Sequence, residues 1–282
     1  MAGLPVMINN SRDPFNGNLG DAASRHDLYY PWLKGAPRVN IDRLAFVSDP
    51  RIKNRGMIVG GGGVLDSVGL FRRAMDYVTK QAEQNEKSVF WGAGVNHHFG
   101  SQGNQVRPQQ LEGLRGFDLV GIRDYMPDAG VRWVPCSSVM LPELEQQYNI
   151  TRSVVVLNNW QFKLRQVPLN VSVMDNNRRF FGATTKRKAI TKVIAYLGSA
   201  ETVVTTAYHC ALWATLLGRH VVVVDPFSSK FRYFRHPPGI VESTQSWTSI
   251  INAAVSHPGV LPLYQEANST FAKEVKNLFS VA

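Results

Sequence analysis

The chain has 282 residues, of which 44% are hydrophobic, enough for one large packed domain or two ordinary ones. Its formal net charge is +10, and its two cysteines, Cys136 and Cys210, lie far apart, which leaves no CxxC pair, zinc spacing or disulfide framework. No apolar run approaches the ~20 residues that span a bilayer, and the stretch Met1–Met7 is too short and weakly charged for a secretory signal, so the expectation is a cytoplasmic chain in a reducing compartment.

In chain order, the first feature is Asn16-Gly17-Asn18-Leu19-Gly20-Asp21, ahead of a helix-compatible stretch. Such a turn can aim backbone N–H groups at an anion, with Asp21 reaching a sugar hydroxyl or acting as a base. The plain alternative is a loop with Asp21 as a helix cap. Next, Gly56-Met57-Ile58-Val59 reads as a strand running into Gly60-Gly61-Gly62-Gly63, and an amphipathic helix follows from Ser67 to about Gln84. Four glycines after a strand allow positive φ and close backbone approach to a ligand. Neither a Gly-Lys-Ser/Thr nor a GxGxxG spacing accompanies them, so ATP and NAD sites are poorly supported. Ser88-Val89-Phe90-Trp91 reads as a strand ending in a Gly92-Ala93-Gly94 turn, with Asn96 and His97 on an acceptor-binding rim and His98 beside them. Adjacent histidines point in different directions and no carboxylate accompanies them, so a metal site is not expected. Phe117–Ile122 is another strand, followed by Arg123-Asp124.

A second strand series begins with Ser153–Leu157. Thr191–Leu197 and Ala207–Leu217 read as helices, Thr202–Thr205 and His220–Asp225 as strands, and the tail from Tyr264 to Val281 as a final helix. The alternation predicts parallel sheets with crossover helices, divided into an N-terminal acceptor-side domain (1–145), a C-terminal donor-side domain (152–264) and a C-terminal helix (265–282). The best site candidate is Thr205-Thr206-Ala207-Tyr208-His209. Thr205 or Thr206 is expected to cap the helix, so that its first turn, with His209, faces an anion. The alternative is a structural histidine on a buried helix. After the next strand, Ser228-Ser229-Lys230 forms a hydroxyl-plus-ammonium set suited to an oxyanion or phosphate.

Charge is uneven. Between Thr151 and Ala200 nine basic residues face a single acid, Asp175. Lys163, Arg165, Arg178, Arg179, Lys186, Arg187 and Lys188, interleaved with Trp160, Phe162, Phe180 and Phe181, would suit phosphate contacts and base stacking. A solvated basic face over buried aromatics would read the same way.

Taken in order, Asn18-Leu19-Gly20-Asp21, Gly61-Gly62-Gly63-Val64-Leu65, Gly92-Ala93-Gly94, Arg123-Asp124, His209 with Leu216-Leu217-Gly218, and Ser228-Ser229-Lys230 resemble the polysaccharide pyruvyl transferase family, across residues 16 to about 231. The resemblance implies a GT-B-like α/β fold, two Rossmann-like domains facing a cleft. It implies transfer of pyruvyl from phosphoenolpyruvate to two sugar hydroxyls, with no metal or cofactor required. It makes His209 a phosphate contact or acid, Arg123 and Lys230 anion contacts and Asp21 a base. Thr205, Thr206, Tyr208, Ser228 and Ser229 then fall on the donor side, and Asn18, Gly61, Gly62, Gly63, Asn96 and His97 on the acceptor side. The family carries Ser-Arg-Leu-His where this chain has Thr206-Ala207-Tyr208-His209. Without that arginine, two donors stay open: phosphoenolpyruvate and a nucleotide sugar. The second donor joins the basic stretch in an alternative, a glycosyltransferase acting on hydroxymethylated bases of phage DNA. A non-enzymatic carbohydrate- or nucleic-acid-binding protein is the third reading.

Overall fold

A computed structural model of the chain describes residues 4–10, 18–53, 55–65, 69–85, 87–96, 111–159, 164, 167–176 and 185–280. The fold is α/β, with two sheets whose strand pairings are all parallel. The first sheet contains β1 (Val6–Asn9), β2 (Arg38–Asn40), β3 (Met57–Gly60), β4 (Gly63–Leu65), β5 (Ser88–Val95) and β6 (Leu119–Ile122), with spatial order β2-β1-β3-β5-β4 and β6 on β5. The second contains β7 (Arg152–Asn158), β8 (Ser172–Asp175), β9 (Ala200–Thr205), β10 (His220–Val224) and β11 (Gly239–Val241), ordered β11-β10-β9-β7-β8.

The strands read as apolar runs because helices and loops cover both faces of each sheet. In β10, His220 is exposed while Val221–Val224 are buried. Around the sheets lie α1 (Leu19–Ala23), α2 (Ile41–Leu44), α3 (Gly69–Gln84), α4 (Lys186–Gly198), α5 (Tyr208–Leu216), α6 (Trp247–Asn252) and α7 (Leu261–Ser280). Helix α3 buries Ala74, Met75, Val78, Gln81 and Ala82, one stripe at helical spacing. All of α5 is buried, and its residues share a core with α4 and with Leu19 and Ala23 of α1. Helix α7 returns to the first sheet, placing Phe271, Ala272 and Val275 against Met7, Ile58, Val89 and Trp91. Among the described residues, no helix is long and apolar enough to cross a membrane.

The structure corrects one expected turn. Gly92, Ala93 and Gly94 lie inside β5 rather than after it. Gly92 takes φ 63° where the register shifts between Trp91 and Ala93, forming an irregularity within the ladder. Glycine is required there because a Cβ would fall 2.8 Å from the Pro135 carbonyl oxygen. The Gly60–Gly62 turn does sit at a strand end, with Gly61 and Gly62 at φ 80° and 82°.

Candidate functional site

Residues following strands of both sheets come together. Asn10 follows β1, Gly61 and Gly62 follow β3, Asn96 follows β5, and Arg123 and Asp124 follow β6. From the second sheet come Asn176 after β8, Thr206 after β9 and, beyond the positive-φ residue Asp225, the turn Ser228–Lys230 after β10. Three contacts tie these groups across the sheets. Lys230 Nζ donates to Asn96 Oδ1 at 2.9 Å. Asn176 Nδ2 donates to Asn18 Oδ1 at 3.0 Å. The Arg123 guanidinium lies 4.4 Å over the Tyr208 ring. Carboxyl ends of parallel strands are where α/β folds bind ligands.

Asn18 caps α1, its Oδ1 accepting the Gly20 N–H at 2.9 Å. Gly20 is glycine because a Cβ there would fall on the His209 ring. His209 Nε2 faces Ser24 Oγ at 3.1 Å and Cys136 Sγ at 3.7 Å. The Ser24 hydroxyl donates its single proton to the Gly20 carbonyl at 2.7 Å, while Cys136 Sγ donates to Ser24 Oγ at 3.0 Å. Ser24 can therefore only accept from His209, which assigns the proton to Nε2 and leaves Nδ1 unprotonated. Burial, then the positive charges of Arg123 and Lys230, hold the ring well below its ordinary pKa and keep it neutral.

The cations are arranged beside carboxylates. Arg123, 4% exposed, donates from Nη2 to the Val95 carbonyl at 2.9 Å, and its Nε lies 3.6 Å from Asp124 Oδ1. Asp124 Oδ2 accepts the Val95 N–H at 2.5 Å. Burial pushes the Asp124 carboxyl up to about 6, against the pull of Arg123. Desolvation and the Arg123 charge bring the Lys230 ammonium down to about 7, with Asp21 and Asp124 opposing. Asp21 accepts from Asn10 Nδ2 at 3.3 Å. An amine poised near neutrality beside two carboxylates can bind an anion in one protonation state and deliver a proton in passing to the other.

No family model and no curated protein matches the chain. A solved structure of a functionally uncharacterized protein from Klebsiella pneumoniae is similar at 16% identity and a TM-score of 0.44, covering 78% of this chain and 83% of that one.

Of the residues singled out in the sequence, Asn18, Asp21, Asn96, Arg123, Tyr208, His209 and Lys230 thus lie in one contact network. Thr205 and Thr206 do not cap α5, contrary to expectation. Ala207 occupies the cap position without a side-chain bond, while Thr205 Oγ1 donates to the Leu157 carbonyl and accepts the Ala207 N–H, and Thr206 Oγ1 accepts the Asn159 N–H at 2.7 Å. Both hydroxyls knit β9 to β7 instead. Close approach at Gly61, Gly62 and Gly63 is taken by the chain itself: Ser24 at the first, Asp21 and Asn10 at the second, Asn96 and Arg123 at the third. Ser228 is buried and accepts from the Lys230 N–H at 3.5 Å, fixing the turn, and Ser229 is buried beside it. The Tyr208 ring stacks on Phe234 at 4.6 Å.

Asn16, Gly17, His97, His98, Lys163, Arg165, Arg178 and Arg179 lie outside the described residues, as do Trp160, Phe162, Phe180 and Phe181. Within the basic stretch, Lys186 opens α4, Lys188 is exposed, and Arg187 pairs with the buried Glu143 at 2.6 Å, so its charge is answered internally. Among the described residues, no group of three or more His, Cys, Asp or Glu side chains is placed to hold a metal ion. Sequence reasoning missed Asn10, Ser24, Cys136 and Asn176. Asn10 and Asn176 sit in polar runs, Asn9–Arg12 and Asp175–Arg179, where nothing singles out one amide from its neighbours until the register of the fold supplies an address.

Proposed function

We propose that the chain is a transferase of the polysaccharide pyruvyl transferase type, with its two sheets as GT-B-like, Rossmann-like halves around a shared cleft. It moves a pyruvyl or glycosyl group from a phosphate-bearing donor to sugar hydroxyls. The observation that carries this reading is Lys230, reaching from the end of β10 to Asn96 at the end of β5, with Arg123, Asp124 and Asp21 in electrostatic range. The donor's phosphate and carboxylate call for cations, and Arg123, seated on Tyr208, supplies a guanidinium next to the position where the resembled family carries its arginine.

With phosphoenolpyruvate, the Lys230 ammonium gives its proton to the methylene carbon, and C2 becomes electron-poor. One sugar hydroxyl adds to C2 and loses its proton to Asp21. The C2–O bond to phosphate then breaks, the second hydroxyl adds, and the ketal closes. Of the two hydroxyl protons, one restores Lys230 and the other leaves with phosphate. His209, neutral and bonded to Ser24, positions α1 and hence Asp21 rather than titrating. With a nucleotide sugar, the same groups serve the leaving diphosphate and a single hydroxyl.

Mass spectrometry of products from a panel of phosphoenolpyruvate and nucleotide sugars with neutral glycans tests the reading. Lys230→Met is expected to lower turnover by about 100-fold or more, the usual scale for a general acid. Wild-type turnover should fall as pH rises through about 7, because the ammonium is the reactive form. Absence of product with every donor, or full turnover in Lys230→Met, would sink it.

A further inference from the structure

Two histidines outside the candidate site meet where two turns of the second half pack together. His236 precedes Pro237-Pro238 and β11, and His257 lies in the turn that leads to α7. Both turns are pinned. Val255 exchanges backbone hydrogen bonds with Val221 of β10, at 2.8 and 3.0 Å, and Ser256 Oγ donates to the Gly218 carbonyl at 3.0 Å. Gly239, just past His236, has no room for a Cβ because the Ala253 carbonyl occupies that position. The two imidazole rings, both only partly buried, are held 5.3 Å apart with their planes at 62°. Each ring has one nitrogen engaged by oxygen. His257 Nε2 lies 2.9 Å from the Pro237 carbonyl, which only accepts, so in the neutral ring Nε2 carries the proton and Nδ1 keeps a lone pair. His236 Nδ1 lies 3.2 Å from the Tyr264 hydroxyl, which accepts as readily as it donates, so a proton on Nδ1 leaves the lone pair on Nε2.

We infer that His236 and His257 form a two-histidine site for a divalent transition-metal ion of the zinc class, with water filling the remaining coordination positions. Zinc binds an imidazole nitrogen at about 2.0–2.1 Å, which places it about 3.2 Å from each ring centre. Rings 5.3 Å apart then subtend about 110° at the ion, the angle of tetrahedral coordination. A second ring nitrogen bonded to oxygen is how proteins fix the tautomer and orientation of metal-binding histidines. Burial, then the neighbouring His257 and Arg235, lower the His236 pKa and favour the neutral ring that a metal needs. The Arg235 guanidinium lies over the Trp133 and Tyr125 rings, at 4.5 and 5.3 Å, whose negative faces offset its charge. Imidazole suits zinc, copper and nickel, whereas magnesium and calcium call for oxygen ligands, so the site selects by donor type. Two protein ligands are fewer than a structural zinc centre uses, so the ion exchanges with solvent while it ties the turn before β11 to the turn before α7. Nothing in this site depends on the transferase reading, and its test needs no turnover.

Isothermal titration of the metal-free full chain with zinc chloride at neutral pH tests this. The wild type should bind zinc, and copper(II) more tightly than zinc, following the general order of affinities for nitrogen ligands. A large excess of magnesium should not displace the zinc. His236→Gln and His257→Gln should each weaken zinc by roughly tenfold to a hundredfold or more, at least the cost of losing an outer-shell partner. A chain carrying both His97→Gln and His98→Gln should keep the wild-type affinity, which separates the site from that adjacent pair. Metal-free melting temperatures equal to that of the wild type report that the variants are folded. On the wild type itself, bound copper(II) should show electron paramagnetic resonance coupling to two imidazole nitrogens, a readout that needs no variant. No zinc uptake by the wild type, unchanged affinity in both His236→Gln and His257→Gln, loss confined to the His97→Gln/His98→Gln chain, displacement by magnesium, or coupling to a single nitrogen would each overturn the inference.

Discussion

Two buried histidines, His26 and His209, are each seated on a glycine from the first half of the chain, and they are built for different ends. His26, in a turn after α1, lies against Gly60 with its ring 4.2 Å from Trp91, and Tyr30 packs tilted against the same indole at 5.0 Å. Its ring neighbours all come from the first half of the chain. His209 belongs to α5, beside the second sheet, yet its ring rests on Gly20 of α1 and its Nε2 meets Ser24 and Cys136. Burial makes both rings neutral, bringing His26 down to about 3 and His209 well below its ordinary value. What separates them is wiring. His26 fills aromatic space, whereas His209 locks the helix bearing Asp21 to the opposite sheet.

The largest test of that contrast is to add one methyl group at each seat. The three atoms nearest a Cβ on Gly20 all belong to the His209 side chain, two of them in its ring, whereas a Cβ on Gly60 meets the His26 ring and also the Trp91 carbonyl oxygen, a backbone atom that cannot swing away. Both alanine variants should lose stability on the overpacking scale of about 1–3 kcal/mol or more, with Gly60→Ala the worse. Denaturant melts of double variants sharpen the point. Removing the ring with His209→Ala should give back part of the loss at Gly20, while His26→Ala should give back little at Gly60. Equal rescue at both seats would erase the distinction.

Acid separates the pair next. In the unfolded chain the His26 imidazole takes its proton near 6.5, and in the fold it resists until about 3. Between those values the unfolded state binds the extra proton, so stability rises with pH through that window and is complete above it. One such group contributes a slope of about 1.4 kcal/mol per pH unit. His26→Phe should flatten the acid limb by about one proton while leaving a ring in the aromatic cluster. His209 contributes in the same direction, so a residual slope is expected. An acid limb unchanged by His26→Phe would place the protonation elsewhere.

Much of this was legible before any fold was drawn, and the failures have physical causes. The valine run of β10 and the stripe of α3 announce themselves because burial on two faces or on one leaves a pattern long enough to count. Strands β2 and β11, with three residues each, are too short to leave one. Gly92 misled because positive φ serves a turn and a strand irregularity equally, and only the approach of Pro135 decides between them. Lys230 and Asp21 stood out as chemistry-bearing residues at element ends. Asn176 did not, because its partner Asn18 lies 158 residues away and the pairing exists only once both sheets are folded.

The smallest predicted effect probes the chain of donors behind His209. Ser24→Ala removes an acceptor for His209 Nε2–H and the donor to the Gly20 carbonyl, leaving buried polar groups unanswered at about 1–3 kcal/mol. Cys136→Ala removes only a weak S–H donor to Ser24 Oγ, which keeps its bond to Gly20, so the loss should stay near the lower end of that range. If the network positions α1, Ser24→Ala should also shift turnover at saturating donor without moving the pH profile, since Ser24 holds a neutral ring rather than a titrating one. Should the profile itself move, His209 would be exchanging protons with substrate, and the difference drawn between the two histidines would become one of chemistry rather than of placement.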